Sequence, residues 1–169
     1  GAKHNLQVLG AAPADTPARV SAEVSVKQGG HWQDQKYVGG EFQPIEALVT
    51  PPQYTDHSEF IRYEGPGIES ESVGYRLYLD WRNGLDVFGK KQPKLVLDQV
   101  GLDGYQSYHE PADWGMDVLK VGQSAGLGGF GAWQNNAVER VSDVSSRGVK
   151  VHASGPVYAQ LDLQYEQWN

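Results

Sequence analysis

Two short stretches of the chain concentrate side chains that can transfer protons or bind anions. The first carries His57, Arg62 and Tyr63, and the second carries Arg76 and Tyr78. A histidine can accept a proton near neutral pH and a tyrosine can return one, while a guanidinium group binds a carboxylate through two parallel hydrogen bonds. These residue types predict acid–base chemistry on an anionic substrate. The catalytic candidates are His57, Arg62, Tyr63, Arg76, Tyr78 and His109, and the candidates for substrate binding are Arg82, Lys90, Lys91 and Trp114.

The same side chains also have a purely structural interpretation. Arg62 with Glu64, and Arg76 with Asp80, are suited to form ion pairs between neighbouring strands. Tyr63 is equally suited to the hydrophobic core. Both interpretations predict that these residues lie on β-strands.

The spacing of apolar residues indicates the strands that position these candidates. Residues 19–27 alternate apolar and polar side chains, which predicts a half-buried strand. A strand over residues 58–64 is predicted to place Phe60, Arg62 and Glu64 on one face. A further strand over residues 75–82 ends at Asn83-Gly84, a strong hairpin signal. Its predicted core face consists of Tyr75, Leu77, Leu79 and Trp81, and its polar face of Arg76, Tyr78, Asp80 and Arg82.

The whole pattern predicts an all-β protein, an antiparallel β-sandwich of roughly ten short strands. Residues 1–18 are expected to be an extended lead-in with at most one short strand, Leu6–Leu9. Residues 19–169 are expected to form a single domain, the N-terminal part of a longer protein. Because aromatic residues persist up to Trp168, we expect a C-terminal remainder or a second chain to complete the sheet. The other predicted strands are 42–50, 94–100, 116–121, 138–144, 149–153 and 157–165, with a loop over 32–40.

The composition argues against several classes of partner. A net charge of −7 repels nucleic acids and anionic membranes, and no apolar run is long enough to span a membrane. The absence of cysteine excludes disulfides and thiol chemistry. Residues 75–94 nevertheless carry five Arg or Lys against two Asp, a local surplus of three positive charges. Such a patch can attract an anionic substrate, although lysines at a sheet edge also prevent edge-to-edge pairing.

A second cluster combines a histidine with acidic residues. His109, Asp113 and Asp117 are the candidate ligands for a divalent metal, Zn²⁺ or Ca²⁺. Their spacing matches neither a zinc-protease helix nor an EF-hand loop. The alternative is that His109 is a structural residue that makes hydrogen bonds within its loop.

Four blocks of the sequence are long enough to be compared with known families: residues 56–67, 75–83, 86–91 and 107–122. They resemble the family filed as domain of unknown function 4861, and the resemblance extends over most of the chain from about Arg19 onward. It implies a secreted or periplasmic bacterial protein associated with polysaccharide degradation. The implied substrates are uronate-rich polymers such as pectin, alginate or ulvan. The resemblance implies no catalytic residues, so their roles must come from chemistry.

Elimination on a uronate is the leading hypothesis for the reaction. It needs a base for the proton next to the carboxylate, a cation for the enolate and an acid for the leaving oxygen. His57 is predicted as the base, Tyr63 or Tyr78 as the acid, and Arg62 or Arg76 as the cation. The enzyme would then be a lyase or dehydratase acting on acidic oligosaccharides.

Two alternatives remain open. One is a glycoside hydrolase that uses paired carboxylates, for which no pair stands out among Glu64, Glu69, Glu71, Glu110 and Asp113. The other is a sugar-binding module without catalysis, in which Trp32, Trp81, Trp114 and Trp133 stack on sugar rings.

Overall fold

A computed structural model describes residues 15–122, 124 and 126–168. The predicted all-β antiparallel fold is confirmed, and every paired strand in the described residues is antiparallel. The strands are β1 Val20–Gln28, β2 His31–Gln33, β3 Lys36–Val38, β4 Glu41–Ile45, β5 Ala47–Val49, β6 Gly67–Ser70, β7 Val73–Leu77, β8 Leu85–Lys90, β9 Gly115–Asp117, β10 Gly131–Gln134, β11 Ala137–Arg140, β12 Ser146–Ala153 and β13 Gln160–Glu166. The main sheet has six strands in the order β4-β1-β6-β7-β8-β9; a second sheet has the order β13-β12-β5, and β2-β3 and β10-β11 are separate hairpins.

The predicted strand over residues 19–27 is confirmed as β1, which lies between β4 and β6 in the main sheet. Its apolar residues Val24 and Val26 are buried together with Val149 of β12. Leu161 and Leu163 of β13 pack against the same cluster. The core on this side therefore lies between the six-stranded and the three-stranded sheet, in the manner of a sandwich.

The opposite face of the main sheet carries the charged residues, and the strand register explains why they meet. Arg76 of β7 lies directly opposite Asp86 of β8, and Phe88 of β8 lies opposite Asp117 of β9. Residues opposite each other, and residues two apart on one strand, point to the same side of a sheet. Arg76, Asp86, Phe88 and Asp117 therefore share one face.

An aromatic cover buries this charged face. Phe88 packs with residues of the irregular segment that follows β8 and with Tyr63. Trp114 packs against the edge of the cluster. The cover consists of Tyr63, Val96, Leu97, Val100, Tyr105 and Tyr108, all buried. The charged face of the main sheet is thus the buried one in this region, which alternation along a single strand cannot reveal.

The prediction of a core face and a polar face over residues 75–82 is wrong in its direction. Arg76 is only 1% exposed and Asp80 is 2% exposed, whereas Trp81, assigned to the core, is 44% exposed. The strand also ends at Leu77 rather than at residue 82. Of the predicted core face, Leu79 is fully buried. The polar side chains can be buried because carboxylates and tyrosines from other segments surround them.

The strand predicted over residues 58–64 does not form. Ile61 makes one isolated bridge to Val26, and residues Arg62–Glu64 form a 3₁₀ turn. Tyr63 and Glu64 have positive φ values of 39° and 67°, outside the extended region. An extended strand presents its side chains to two faces only. In this segment, three consecutive side chains have three different surroundings: Arg62 pairs with Glu23, Tyr63 lies in the core and Glu64 pairs with Arg76.

Other predicted elements differ mainly in type or extent. β7 and β8 do form a hairpin, but its turn is not the predicted one. Seven residues from Tyr78 to Gly84 join the strands, and the backbone turn runs from Asp80 to Asn83, whose N–H donates to the Asp80 carbonyl. The strand predicted over 94–100 is replaced by a 3₁₀ turn, Leu97–Gln99, because the Glu69 carboxylate accepts the backbone N–H groups of Val96 and Leu97. The predicted loop over 32–40 contains the β2-β3 hairpin. The predicted strand Leu6–Leu9 lies outside the described residues.

Each of the other predicted strands overlaps an observed strand, although β9 and β11 are shorter than predicted. The segment 42–50 holds β4 and β5, and the last four predicted strands correspond to β9, β11, β12 and β13. No helix in the described part of the chain is long and apolar enough to cross a membrane.

Candidate active site

A cleft of about 710 Å³ opens where β8, β9 and the segment after β9 meet the aromatic cover. Polar and charged side chains line part of it, and apolar side chains line the rest. The lining residues are Tyr78, Asp86, Gln106, His109 and residues 116–122.

Arg76 lies beneath this cleft and connects its polar groups. Its Nη1 donates to Tyr108 Oη at 2.7 Å and to Glu64 Oε2 at 3.2 Å. Its Nη2 donates to Tyr78 Oη at 2.8 Å and pairs with the carboxylate of Asp86. A guanidinium group has five donors in a fixed plane, which suits it to hold several oxygens at once.

Tyr78 is held between two guanidinium groups. The Arg82 guanidinium carbon lies 4.0 Å and that of Arg76 4.4 Å from the ring centre. The hydroxyl donates to Asp86 Oδ2 at 2.9 Å. Burial raises the pKa of Tyr78, although both arginines oppose the rise, so the phenol is protonated at neutral pH. The neighbouring positive charges would stabilise the tyrosinate if the proton were transferred.

Glu64 links Arg76 to a second arginine and to His57. Its Oε1 lies 2.9 Å from Arg82 Nη2 and accepts the His57 backbone N–H at 2.7 Å. Burial alone would raise the pKa of Glu64, but Arg82, Arg76 and this backbone donor together hold it below its ordinary value. Glu64 is therefore a buried carboxylate that stays ionised.

His109 lies at the cleft with its Nδ1 3.3 Å from Asp117 Oδ2. The Asp117 side chain is 3% exposed and the His109 ring 46% exposed, so the ring is the accessible member of the pair. Its Nε2 is the nitrogen that does not face Asp117. The Tyr108 ring packs against the His109 ring with centres 4.7 Å apart.

The pKa values of this pair are shifted in opposite directions. Burial lowers the pKa of His109, and the negative charge of Asp117 only partly opposes this. Burial also raises the pKa of Asp117, although the Leu119 backbone N–H, Arg76 and His109 lower it. The imidazole is consequently neutral at neutral pH, the state that a general base requires.

The structure divides the predicted catalytic residues into separate places. Arg76, Tyr78 and His109 are associated with the cleft. His57 does not line it, because its ring lies on the far side of Glu64, 3.8 Å from Oε1, and packs against Tyr105.

Arg62 and Tyr63 point elsewhere. Arg62 pairs with Glu23 at 2.7 Å and donates to the Asp98 carbonyl, next to a different groove. Tyr63 is fully buried in the aromatic cover. The ion pair predicted between Arg62 and Glu64 is absent from the described contacts of both side chains.

The candidates for substrate binding also lie away from the cleft. Arg82 is occupied by Asp80 and Glu64, and Lys90 by the buried carboxylate of Glu69. Lys91 is exposed, and Trp114 packs against the aromatic cover. The predicted positive patch therefore loses most of its charge to internal ion pairs.

The predicted metal ligands do not converge. His109 and Asp117 are neighbours, but Asp113 is exposed and makes no ion pair with them. Throughout the residues that the structure describes, no group of three or more His, Asp or Glu side chains could hold a metal ion.

Sequence reasoning missed Asp86 as the partner of Arg76. A two-residue turn at Asn83-Gly84 would place Arg76 opposite Lys91, whereas the seven-residue connection places it opposite Asp86. For Asp117 the sequence predicts only a role as a metal ligand. Its relation to Arg76, with Oδ2 3.9 Å from Nη2, depends on the pairing of β9 with β8.

Comparison with known proteins identifies the family. The whole chain, residues 1–169, matches the family model described as "Domain of unknown function (DUF4861)". The chain belongs to this family. Neither the curated proteins nor the solved structures give a significant match to it. The family resemblance noted in the sequence is thereby confirmed, and membership in this family states no activity.

Proposed function

We propose that this DUF4861 protein is a carbohydrate-active enzyme of the lyase or dehydratase type, acting on uronate-containing oligosaccharides. The observation that carries the proposal is the His109–Asp117 pair at the cleft, with the protonated Tyr78 lining the same cleft. A base and an acid are the two groups that an elimination needs. The uronate substrates, and a secreted or periplasmic location, follow from the polysaccharide setting that the resemblance implies.

The proposed reaction assigns one role to each group. Nε2 of His109 takes the proton from the carbon next to the carboxylate, while Asp117 orients the ring. The bond between the neighbouring carbon and its oxygen breaks, and a double bond forms between the two carbons. Tyr78 supplies the proton to the leaving oxygen, which departs as a sugar hydroxyl in a lyase or as water in a dehydratase. Arg76 then stabilises the tyrosinate.

Incubation of the protein with oligosaccharides from pectin, alginate and ulvan tests the proposal. An elimination produces a conjugated enol ether, detected by ultraviolet absorbance, and a dehydratase lowers the mass by one water. His109→Gln should reduce the rate by about 10²- to 10⁴-fold. His31→Gln, at an exposed histidine of the β2-β3 hairpin, is the matched control and should retain the rate. Binding without any product in this series would favour the alternative of a sugar-binding module.

Hydrolysis by two carboxylates is the second candidate, and one observation favours it. Asp86 and Asp117 both line the cleft, and burial raises the pKa of Asp117 as a general acid requires. The Oδ1 atom of Asp86 is buried and makes no hydrogen bond within the described residues. Product mass separates the two candidates, since hydrolysis adds one water across the cleaved bond and leaves no double bond.

A further inference from the structure

The proposed elimination needs a positive charge close to the substrate carboxylate. Removal of the neighbouring proton pushes negative charge onto that carboxylate, and a cation that meets it lowers the barrier. The sequence predicts Arg62 or Arg76 for this role. Neither is available to a substrate in the cleft.

The charge of Arg76 is already balanced by protein groups. Glu64 and Asp86 contact its guanidinium, and Asp117 approaches it to 3.9 Å. Its side chain is 1% exposed. Arg62 is similarly occupied by Glu23. A carboxylate bound against Asp86 and Asp117 would be repelled rather than attracted, so the cation must come from the rim of the cleft.

Lys120 has the required properties. It is exposed and is the one lysine or arginine among the described residues that line the cleft. It makes no hydrogen bond or ion pair with any residue in the described ranges. Burial, Arg76 and Lys120 lower the pKa of the His109 imidazole, while Asp117 and Glu64 raise it, and Lys120 is the smallest of these influences. The positive charge of Lys120 is therefore felt at His109.

We propose that Lys120 binds the carboxylate of the uronate unit at the cleft and thereby selects acidic over neutral sugars. This inference rests on the proposed function, because it names the group that recognises the substrate at the same site. The acidic groups Asp86 and Asp117 direct the carboxylate away from the floor of the cleft and toward Lys120. The aliphatic wall, which includes Met116 and Val118, faces the apolar surface of the sugar ring.

Binding of matched sugars tests the inference without requiring turnover. Tri-galacturonate and its neutral counterpart, tri-galactose, are titrated into the wild type and into Lys120→Met, with affinity measured by calorimetry or NMR. The wild type should prefer the acidic sugar, and Lys120→Met should lose about fivefold in affinity for it with little change for the neutral sugar. Lys120→Arg should retain the preference. Lys150→Met, at an exposed lysine of β12, is the matched control and should behave as wild type.

The outcomes separate this inference from the proposed function. A preference for tri-galacturonate that persists in Lys120→Met overturns the role of Lys120, whatever the enzyme does. A preference that depends on Lys120, without products from uronate oligosaccharides, supports the inference while the proposed reaction fails. A wild type that binds both sugars equally overturns the inference, and product analysis with neutral oligosaccharides then decides the chemistry independently.

Discussion

Replacement of Arg76 by methionine provides the sharpest test of the buried charge network. The variant keeps most of the side-chain volume but removes the guanidinium that faces Glu64 and Asp86. Their side chains are 4% and 2% exposed, so water cannot solvate the carboxylates that remain. Breaking a buried ion pair by removing one partner costs about 3–5 kcal/mol. This is a large part of the roughly 5–15 kcal/mol that stabilises a typical domain.

The free energy of unfolding can be measured by urea denaturation, monitored by tryptophan fluorescence. A loss of this size lowers the melting temperature by about 6–20 °C in a protein of this length. Arg19→Met is the matched control, because Arg19 and Glu71 form an ion pair whose side chains are 69% and 32% exposed. Such a pair contributes at most about 1 kcal/mol.

The effect of Arg76→Met should also depend on pH. Arg82 and Arg76 hold the pKa of Glu64 below its ordinary value of 4.5, so the stabilisation from this group is present above pH 4.5 and is lost as the pH falls through the folded-state pKa. The difference between wild type and variant should therefore shrink in acid. A loss below about 1 kcal/mol at pH 7, or an equal loss at pH 7 and pH 4, would refute the reasoning.

Two further predictions concern His109 and Lys90. Burial lowers the pKa of His109 below its ordinary value of 6.5, and the base must be unprotonated. As the pH is lowered from neutral, kcat/KM on uronate oligosaccharides should therefore begin to decrease only below pH 6.5. A decrease that begins before the pH reaches 6.5 contradicts the assigned role. Lys90→Met leaves the buried Glu69 carboxylate unpaired and should cost about 3–5 kcal/mol in urea unfolding, whereas Lys91→Met at the exposed neighbour should cost less than about 1 kcal/mol. Equal losses in the two lysine variants would show that the Lys90–Glu69 pair contributes nothing.

Local sequence signals predicted those parts of the fold that depend on neighbouring residues. Alternation over β1 located a strand with Val24 and Val26 buried, and the final strands were found in the same way. Local sequence signals predicted the wrong secondary structure where a side chain distant in sequence binds the backbone N–H groups. The Glu69 carboxylate accepts hydrogen bonds from the backbone N–H groups of Val96 and Leu97. No pattern within residues 94–100 indicates that Glu69 binds there.

The sequence predicted some residues of the candidate site but not the pairs that they form. Arg76, Tyr78 and His109 were recognised by residue type alone, because few side chains transfer protons or bind anions. Their partners could not be assigned, since the register across the connection after β7 selects Asp86, and the pairing of β9 selects Asp117. Lys120 was not recognised at all, because an isolated lysine has no distinguishing pattern until a cleft surrounds it.

The sequence by itself determined the all-β class, the alternation of each strand and the types of residue available for chemistry, because these depend on composition and local spacing. Only the tertiary structure decided which face of β7 is buried and which charged side chains are held in internal ion pairs. Alternation defines two faces of a strand but does not tell which of them the rest of the chain will cover. Arg76 lies in the interior because Glu64, Asp86 and Tyr108 meet it there, whereas Lys120 is exposed at the cleft and forms no ion pair with any described residue.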